Sequence, residues 1–126
     1  MTALKPEDCD VLMHLAITTR NLEAAVALYE PDGSFISASG EPVVGHDAIR
    51  ELMRPMMEVE DFEFTRQPVA FLSAKGDLAL LRGTWSATSK DEQGNPVVIG
   101  GNNVEIVRRQ PDGSWRFVID HPTGAD

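Results

Sequence analysis

The sequence predicts an α+β fold in which N-terminal helices pack into a strongly curved, mostly antiparallel sheet, and three observations carry that expectation. Apolar residues recur at helical spacing up to about Met57, whereas strand-like stretches dominate after Asp61, so helices and strands are segregated rather than alternating. Lys75-Gly76-Asp77, Gly94-Asn95 and Pro111-Asp112-Gly113 separate the later stretches with hairpin-turn chemistry, which makes successive strands pair antiparallel. A length of 126 residues with 42% apolar side chains suffices for one hydrophobic core and not for two, so residues 1–126 are expected to form a single domain.

A first helix is expected from about Pro6 to Thr18, with Val11, Leu12, Leu15 and Ala16 on one face and Pro6, Glu7 and Asp8 suited to its first turn. Thr19 or Asn21 can cap a second helix through Leu22, Ala25, Val26 and Tyr29, which Glu30-Pro31-Asp32-Gly33 is expected to end. Ser34 to Ser39 reads as a short strand, broken by Gly40, Glu41 and Pro42 before Val43 and Val44. Gly45 then opens a third helix carrying Ile49, Leu52, Met53, Met56 and Met57 on one face, its last turn frayed at Pro55. Long strands follow near Phe62 to Ser73, Leu78 to Ser89, Pro96 to Arg109 and Ser114 to His121. Strands of this length must bend around the helices, most cheaply at Gly83, Gly100 and Gly101, and a cone with an internal cavity is the natural result.

Twenty acidic residues against eleven basic give a formal charge of −9, which repels phosphate backbones and anionic lipid, so neither nucleic acid nor a membrane surface is an expected partner. Cys9 is the one cysteine, and His14, His46 and His121 lack short-range pairing, so no metal and no cofactor are expected. MTALKPEDCD does not lead a basic stretch into an apolar run, and no apolar run approaches the ~20 residues that span a bilayer, so a cytoplasmic location is expected.

The stretches LEAAVALYEPDGSFISASGEPVVGHDAIRELM, AKGDLALLRGTW and VEIVRRQPDGSWRFVIDHPTG together resemble the nuclear transport factor 2-like superfamily, which includes steroid delta-isomerases and SnoaL-like polyketide cyclases. The resemblance covers nearly the whole chain and implies a cystatin-like cone. It does not specify a substrate, because the fold hosts isomerases, cyclases, dehydratases, hydrolases and non-catalytic binding modules. At the position where the family's steroid isomerases carry the proton-shuttling aspartate this chain has Ser37, and where they carry the oxyanion-hole tyrosine and aspartate it has Met13 and Asn103. Neither Ser37 nor Met13 can do acid-base work at neutral pH, so steroid isomerisation by that mechanism is not expected.

Asp120 is then the leading catalytic candidate: it shares a strand face with Val118, and the resemblance turns that face into the cone, where a desolvated carboxylate can act as a base or anchor a ligand. The plainer alternative is a solvated strand end. Arg82 belongs to the face of Leu78, Leu80 and Thr84; if that face lines the cone, its guanidinium needs a carboxylate, and Asp120 is the obvious one. Asn103 suits ligand binding, with Asn102 as rival, because a bulge at Gly100-Gly101 would exchange their faces. Tyr29 offers a hydroxyl from a core position. Leu81, Trp85, Trp115 and Phe117 fall on the opposite, outer side in this register, an apolar surface that a homodimer would cover. The expected function is binding of a small, largely apolar organic molecule by Asn103, Arg82, Tyr29, Ser37, Met13 and Thr84, with isomerase or cyclase chemistry at Asp120. The alternative is a non-catalytic dimerisation or binding module whose cone is plugged by Met53, Phe35 or Phe64.

Overall fold

The computed structural model describes residues 2–126. Helix α1 (Asp8–Thr18) and the short α2 (Leu22–Val26) precede β1 (Tyr29–Ile36) and β2 (Pro42–Val44), then α3 (His46–Met53), a 3-10 turn (Arg54–Glu58), and the long strands β3 (Glu60–Leu72), β4 (Leu78–Lys90), β5 (Pro96–Arg109) and β6 (Trp115–His121). All six strands form one sheet in the order β2-β1-β6-β5-β4-β3. It is antiparallel except for the β1–β6 pair, which runs parallel. No described helix is long and apolar enough to cross a membrane.

Local chemistry explains most boundaries. The Asn21 side chain accepts a hydrogen bond from the Ala24 N–H at 3.1 Å and so starts α2. Pro55 cannot donate the bond that an α-helix would require, and α3 gives way to the 3-10 turn one residue earlier. The β4–β5 hairpin closes through Gly94 at φ 83, a left-handed conformation that costs glycine little.

One boundary differs from the sequence reading. Tyr29 through Gly33 do not end a helix; they are the first part of β1. The Glu30-Pro31-Asp32-Gly33 segment is accommodated as an irregularity, because the β1–β6 register shifts between Tyr29 and Ser34. Turn-forming residues here bend a strand instead of breaking the chain, and Tyr29, the first residue of that strand, is fully buried.

The inner face is also the reverse of the one expected on β4. Ala79, Leu81 and Ala87 are buried, and Arg82 between them is exposed. A strand alternates with period two, so an error of one residue moves every side chain across the sheet. β6 carries a second reversal. Ile106 pairs with Ile119 and Val107 with Phe117, which leaves Val118 as the extra residue of a bulge. Ahead of it Trp115 and Phe117 point into the core, and beyond it Asp120 does. Leu81, Trp115 and Phe117 are therefore core residues, and Trp85 lines the interior; none covers the outside. The exposed apolar residues of the outer face are instead Val69, Phe71 and Ile119.

Candidate functional site

The curled sheet and the helices enclose an open cavity of about 600 Å³. Its walls are apolar. Met13 and Ile17 come from α1, Leu52 and Met53 from α3, Phe62 and Phe64 from β3, and Trp85 from β4. Phe62 organises the aromatic wall: it meets Phe64 edge-on at 5.6 Å between centroids and stacks on Trp85 at 5.7 Å. The Trp85 indole N–H is satisfied by the Pro122 carbonyl at 2.9 Å, which fixes the ring.

At one end of this apolar space lie five polar side chains: Asp10, Tyr29, Asn103, Glu105 and Asp120. They come from α1, β1, β5 and β6, and the sheet register explains their meeting. On β5, Asn103, Glu105 and Val107 share the inner face by simple alternation. The Val118 bulge brings Asp120 opposite Glu105. Tyr29, fully buried, packs its ring at a tilt against Phe117, 5.0 Å between centroids, and donates its hydroxyl hydrogen to Asp120 Oδ2 at 2.5 Å. Asn103 Nδ2 donates to Glu105 Oε2 at 2.8 Å. Asn103 Oδ1 is buried without a partner, and buried Asp10 Oδ2 meets no N–H or hydroxyl donor, so the Asp10 carboxyl has only the proton it shares with Glu105.

Three carboxyl groups in so small a volume cannot all keep a full charge. Burial raises Asp120 to about 7, the Tyr29 hydrogen bond opposes that rise, and the Asp10 charge adds to it. Asp10 is raised by burial to about 6, with a hydrogen bond from Glu105 pulling the other way. Glu105 is pushed well above the usual carboxylate range by burial, by the charge of Asp10 and by the hydrogen bond it shares with Asp10, so it is the protonated member of that pair. Tyr29 is raised in its turn by burial and by Asp120, and stays a hydroxyl. The cluster thus holds protons at neutral pH and exchanges one near it at Asp120.

The remaining candidates fall in different places. Met13 lines the cavity as an apolar wall residue, and Ser37 lies at its rim, where its hydroxyl engages Ser39 at 2.9 Å and accepts from the Glu41 N–H. Arg82 and Thr84 are outside the cavity, on the outer face of β4, where Thr84 Oγ1 donates to Asn102 Oδ1 at 2.7 Å. The expected Arg82–Asp120 pair does not form, because the sheet separates the two side chains and an exposed guanidinium is solvated by water. The β4–β5 ladder runs without a register shift through Gly100 and Gly101, so Asn103 faces inward and Asn102 outward. A Cβ at Gly100 would collide with the Trp85 carbonyl, so this glycine serves close strand approach and not a bulge. His121 pairs with Val104 beyond Asp120 and lies on the opposite face from it. His14 and His46 bond the carbonyls of Phe62 and Tyr29 at 3.0 and 2.8 Å. Cys9 is fully buried, and burial beside Asp10 pushes its thiol upward, away from reactivity. Among the described residues no cluster of metal-ligating side chains is present.

Asp10 and Glu105 were not singled out by the sequence reading. Their signals were positional: Glu105 is two residues from Asn103 on one strand, and Asp10 is three residues before Met13 on one helix.

A curled six-stranded sheet closed over N-terminal helices, with a polar cluster at the bottom of an apolar cavity, is the architecture of the nuclear transport factor 2-like cone. The SnoaL-like domain model matches residues 12–118, and the chain belongs to that family. Solved structures show the same fold. A protein of cystatin-like fold from Caulobacter vibrioides aligns with a TM-score of 0.76 at 20% identity, covering 92% of this chain and 84% of that one. A nuclear transport factor 2-like superfamily protein from Salmonella enterica serovar Typhimurium aligns at 0.75 and 18%, covering 94% and 89%. A ketosteroid isomerase-like protein from Erwinia carotovora aligns at 0.72 and 19%, covering 91% and 89%. No curated protein matches the sequence.

Proposed function

We propose that the cone binds a small, largely apolar organic molecule and moves a proton on it at Asp120, as an isomerase or cyclase of this fold does. The observation that carries this reading is a carboxyl group that titrates near neutrality, sits at the polar end of an open apolar cavity, and is held in place by the Tyr29 hydroxyl. A carboxyl poised in this way gives and takes protons at the pH where it works, whereas an ordinary aspartate is too weak a base. The Phe62, Phe64 and Trp85 wall supplies the apolar contact area, and burial of the acids at its polar end strengthens the polar contacts made there. A plugged, non-catalytic cone is disfavoured by Met53, Phe35 and Phe64, which line the cavity wall and leave about 600 Å³ free.

The probe reaction is deuterium exchange at the activated methylene of 2-tetralone, an apolar ketone of suitable size, followed by proton NMR in deuterated buffer. The wild-type protein is expected to accelerate exchange over buffer, and Asp120→Asn to lose about 100-fold or more of that acceleration. Equal acceleration by wild type and a well-folded Asp120→Asn would overturn the assignment.

The outer face supports a homodimer, built on residues other than those expected. Val69, Phe71 and Ile119 are more exposed than a small monomer's sheet ordinarily leaves such side chains. Light scattering at micromolar concentration is expected to give twice 13.8 kDa for the wild type and a lighter species for Phe71→Asp. A wild-type monomer would remove the dimer.

A further inference from the structure

The polar end of the cavity has a direction to its hydrogen bonding that the proposed function does not use. Within the cluster the donors are spent: Tyr29 on Asp120, Asn103 Nδ2 on Glu105, and Glu105 on Asp10. What remains open is acceptor: Asn103 Oδ1 has no partner, and the Asp10 carboxyl receives only the proton it shares with Glu105, its Oδ2 meeting no N–H or hydroxyl donor; each residue is 3% exposed and lines the cavity. A buried acceptor left without a partner is destabilising, so the site is incomplete as it stands. Its missing part is a donor.

The surroundings indicate which donor. Among the described residues lining the cavity there is no lysine, arginine or histidine to balance Asp10, Glu105 and Asp120. The groups facing Asp10 are Cys9 of α1, Tyr29 of β1, Asn103 and Glu105 of β5, and Asp120 of β6; each is neutral or acidic. An anionic ligand would add to an uncompensated negative potential. A neutral hydroxyl supplies one hydrogen, where two acceptors are open. An ammonium supplies three, together with the positive charge that this cluster lacks, and the aromatic wall of Phe62, Phe64 and Trp85 tolerates a cation passing over its ring faces.

We propose that the ligand is a protonated amine on an apolar body, its ammonium received at the Asp10 Oδ2 and Asn103 Oδ1 end of the cavity. This rests on the small-molecule reading given above and narrows it to a substrate class. It has a thermodynamic corollary. A cation stabilises the charged form of each carboxyl beside it, so binding draws protons out of Asp10 and Asp120, and affinity rises with pH through the range where those groups titrate.

The test uses three probes with one indole body: tryptamine, tryptophol and indole-3-acetate, bearing an ammonium, a hydroxyl and a carboxylate. Isothermal titration calorimetry at about pH 8 is expected to show tryptamine binding at least about tenfold tighter than tryptophol, with indole-3-acetate weakest. Between about pH 5 and pH 8 tryptamine affinity is expected to rise about tenfold with release of protons to the buffer, while tryptophol affinity stays level. Asp10→Asn is expected to erase the preference for tryptamine and keep tryptophol binding; should that variant fail to fold, the wild-type pH comparison decides alone. Tryptophol or indole-3-acetate binding as tightly as tryptamine would overturn the amine and leave the small-molecule pocket standing. Binding of none of the three would overturn both.

Discussion

On the outer face of β5, partly exposed Asn102 takes a hydrogen bond from Thr84; one residue further on, Asn103 points inward, donates to a buried glutamate and leaves its oxygen unmatched. The same residue type on the same strand is solvated on one side and chemically poised on the other. Arg82 and Asp120 repeat the contrast with charged groups. The exposed guanidinium has ordinary surroundings, whereas the carboxyl behind the sheet is raised to about 7. What separates the two faces is dielectric and not composition, since both carry polar and apolar residues. Burial without a counter-charge converts common acids into groups that titrate near neutrality.

The largest contrast is expected from one change made on both faces. Phe117→Ala empties a site only 1% exposed and is expected to cost about 3–5 kcal/mol in urea unfolding. Phe71→Ala alters a ring 59% exposed and is expected to shift the unfolding of the isolated chain by about 0.5 kcal/mol or less, its effect appearing in self-association instead. Similar losses at the two positions would mean that the faces are not energetically distinct.

Next in size is the pH dependence. Unfolded, Asp120 titrates near 3.8, and folded, near 7. Below the lower value both states hold the proton and stability is at its fullest. As the pH rises between the two, the unfolded chain releases its proton first, so stability falls, and above about 7 the folded protein bears the whole cost of the buried charge. Asp10, raised to about 6, and Glu105, raised further, act in the same direction. Thermal melts are expected to show a fold losing stability from about pH 4 to pH 7, and Asp120→Asn flattening that slope by a few kcal/mol. A slope of the opposite sign would contradict the buried, uncompensated cluster.

Smaller effects sharpen the same comparison. Tyr29→Phe deletes the donor on Asp120 and is expected to cost about 1–3 kcal/mol in chemical unfolding. Arg82→Met on the outer face is expected to stay within about 0.5 kcal/mol. A larger loss at Arg82 than at Tyr29 would place the structural ion pair back in contention.

The order of the elements and the extent of the long strands were legible because local chemistry sets them, whereas the change from α2 to β1 at Tyr29 was not. Asn21 caps, Pro55 interrupts, and Gly94 closes a hairpin, so the long strands begin and end within two residues of their expected limits. The faces of β4 and β6 were not legible in the same way. Alternation shows that Leu81 and Arg82 point oppositely, and only the tertiary packing decides which points in. The Val118 bulge carries no glycine to announce it, and without it the inward Phe117 would put Asp120 outside. The Tyr29–Asp120 bond joins residues 91 apart in sequence and depends on the parallel β1–β6 pairing, which no local pattern encodes. Glu105 carries no such signal either: a charged residue between Val104 and Ile106 reads as the solvated side of a strand, and here the outward side is the one carrying Val104.

Titration of Asp120 itself is the most direct measure of the buried acid cluster. Carbon-detected NMR of the side-chain carboxyl, assigned by its disappearance in Asp120→Asn, reads that titration without a ligand and without unfolding. A midpoint near 7, moving higher still in Tyr29→Phe as the opposing hydrogen bond is lost, is the predicted result. A midpoint near 3.8, unmoved by Tyr29→Phe, would contradict the claim that this cone holds its acids in a dry and unbalanced site.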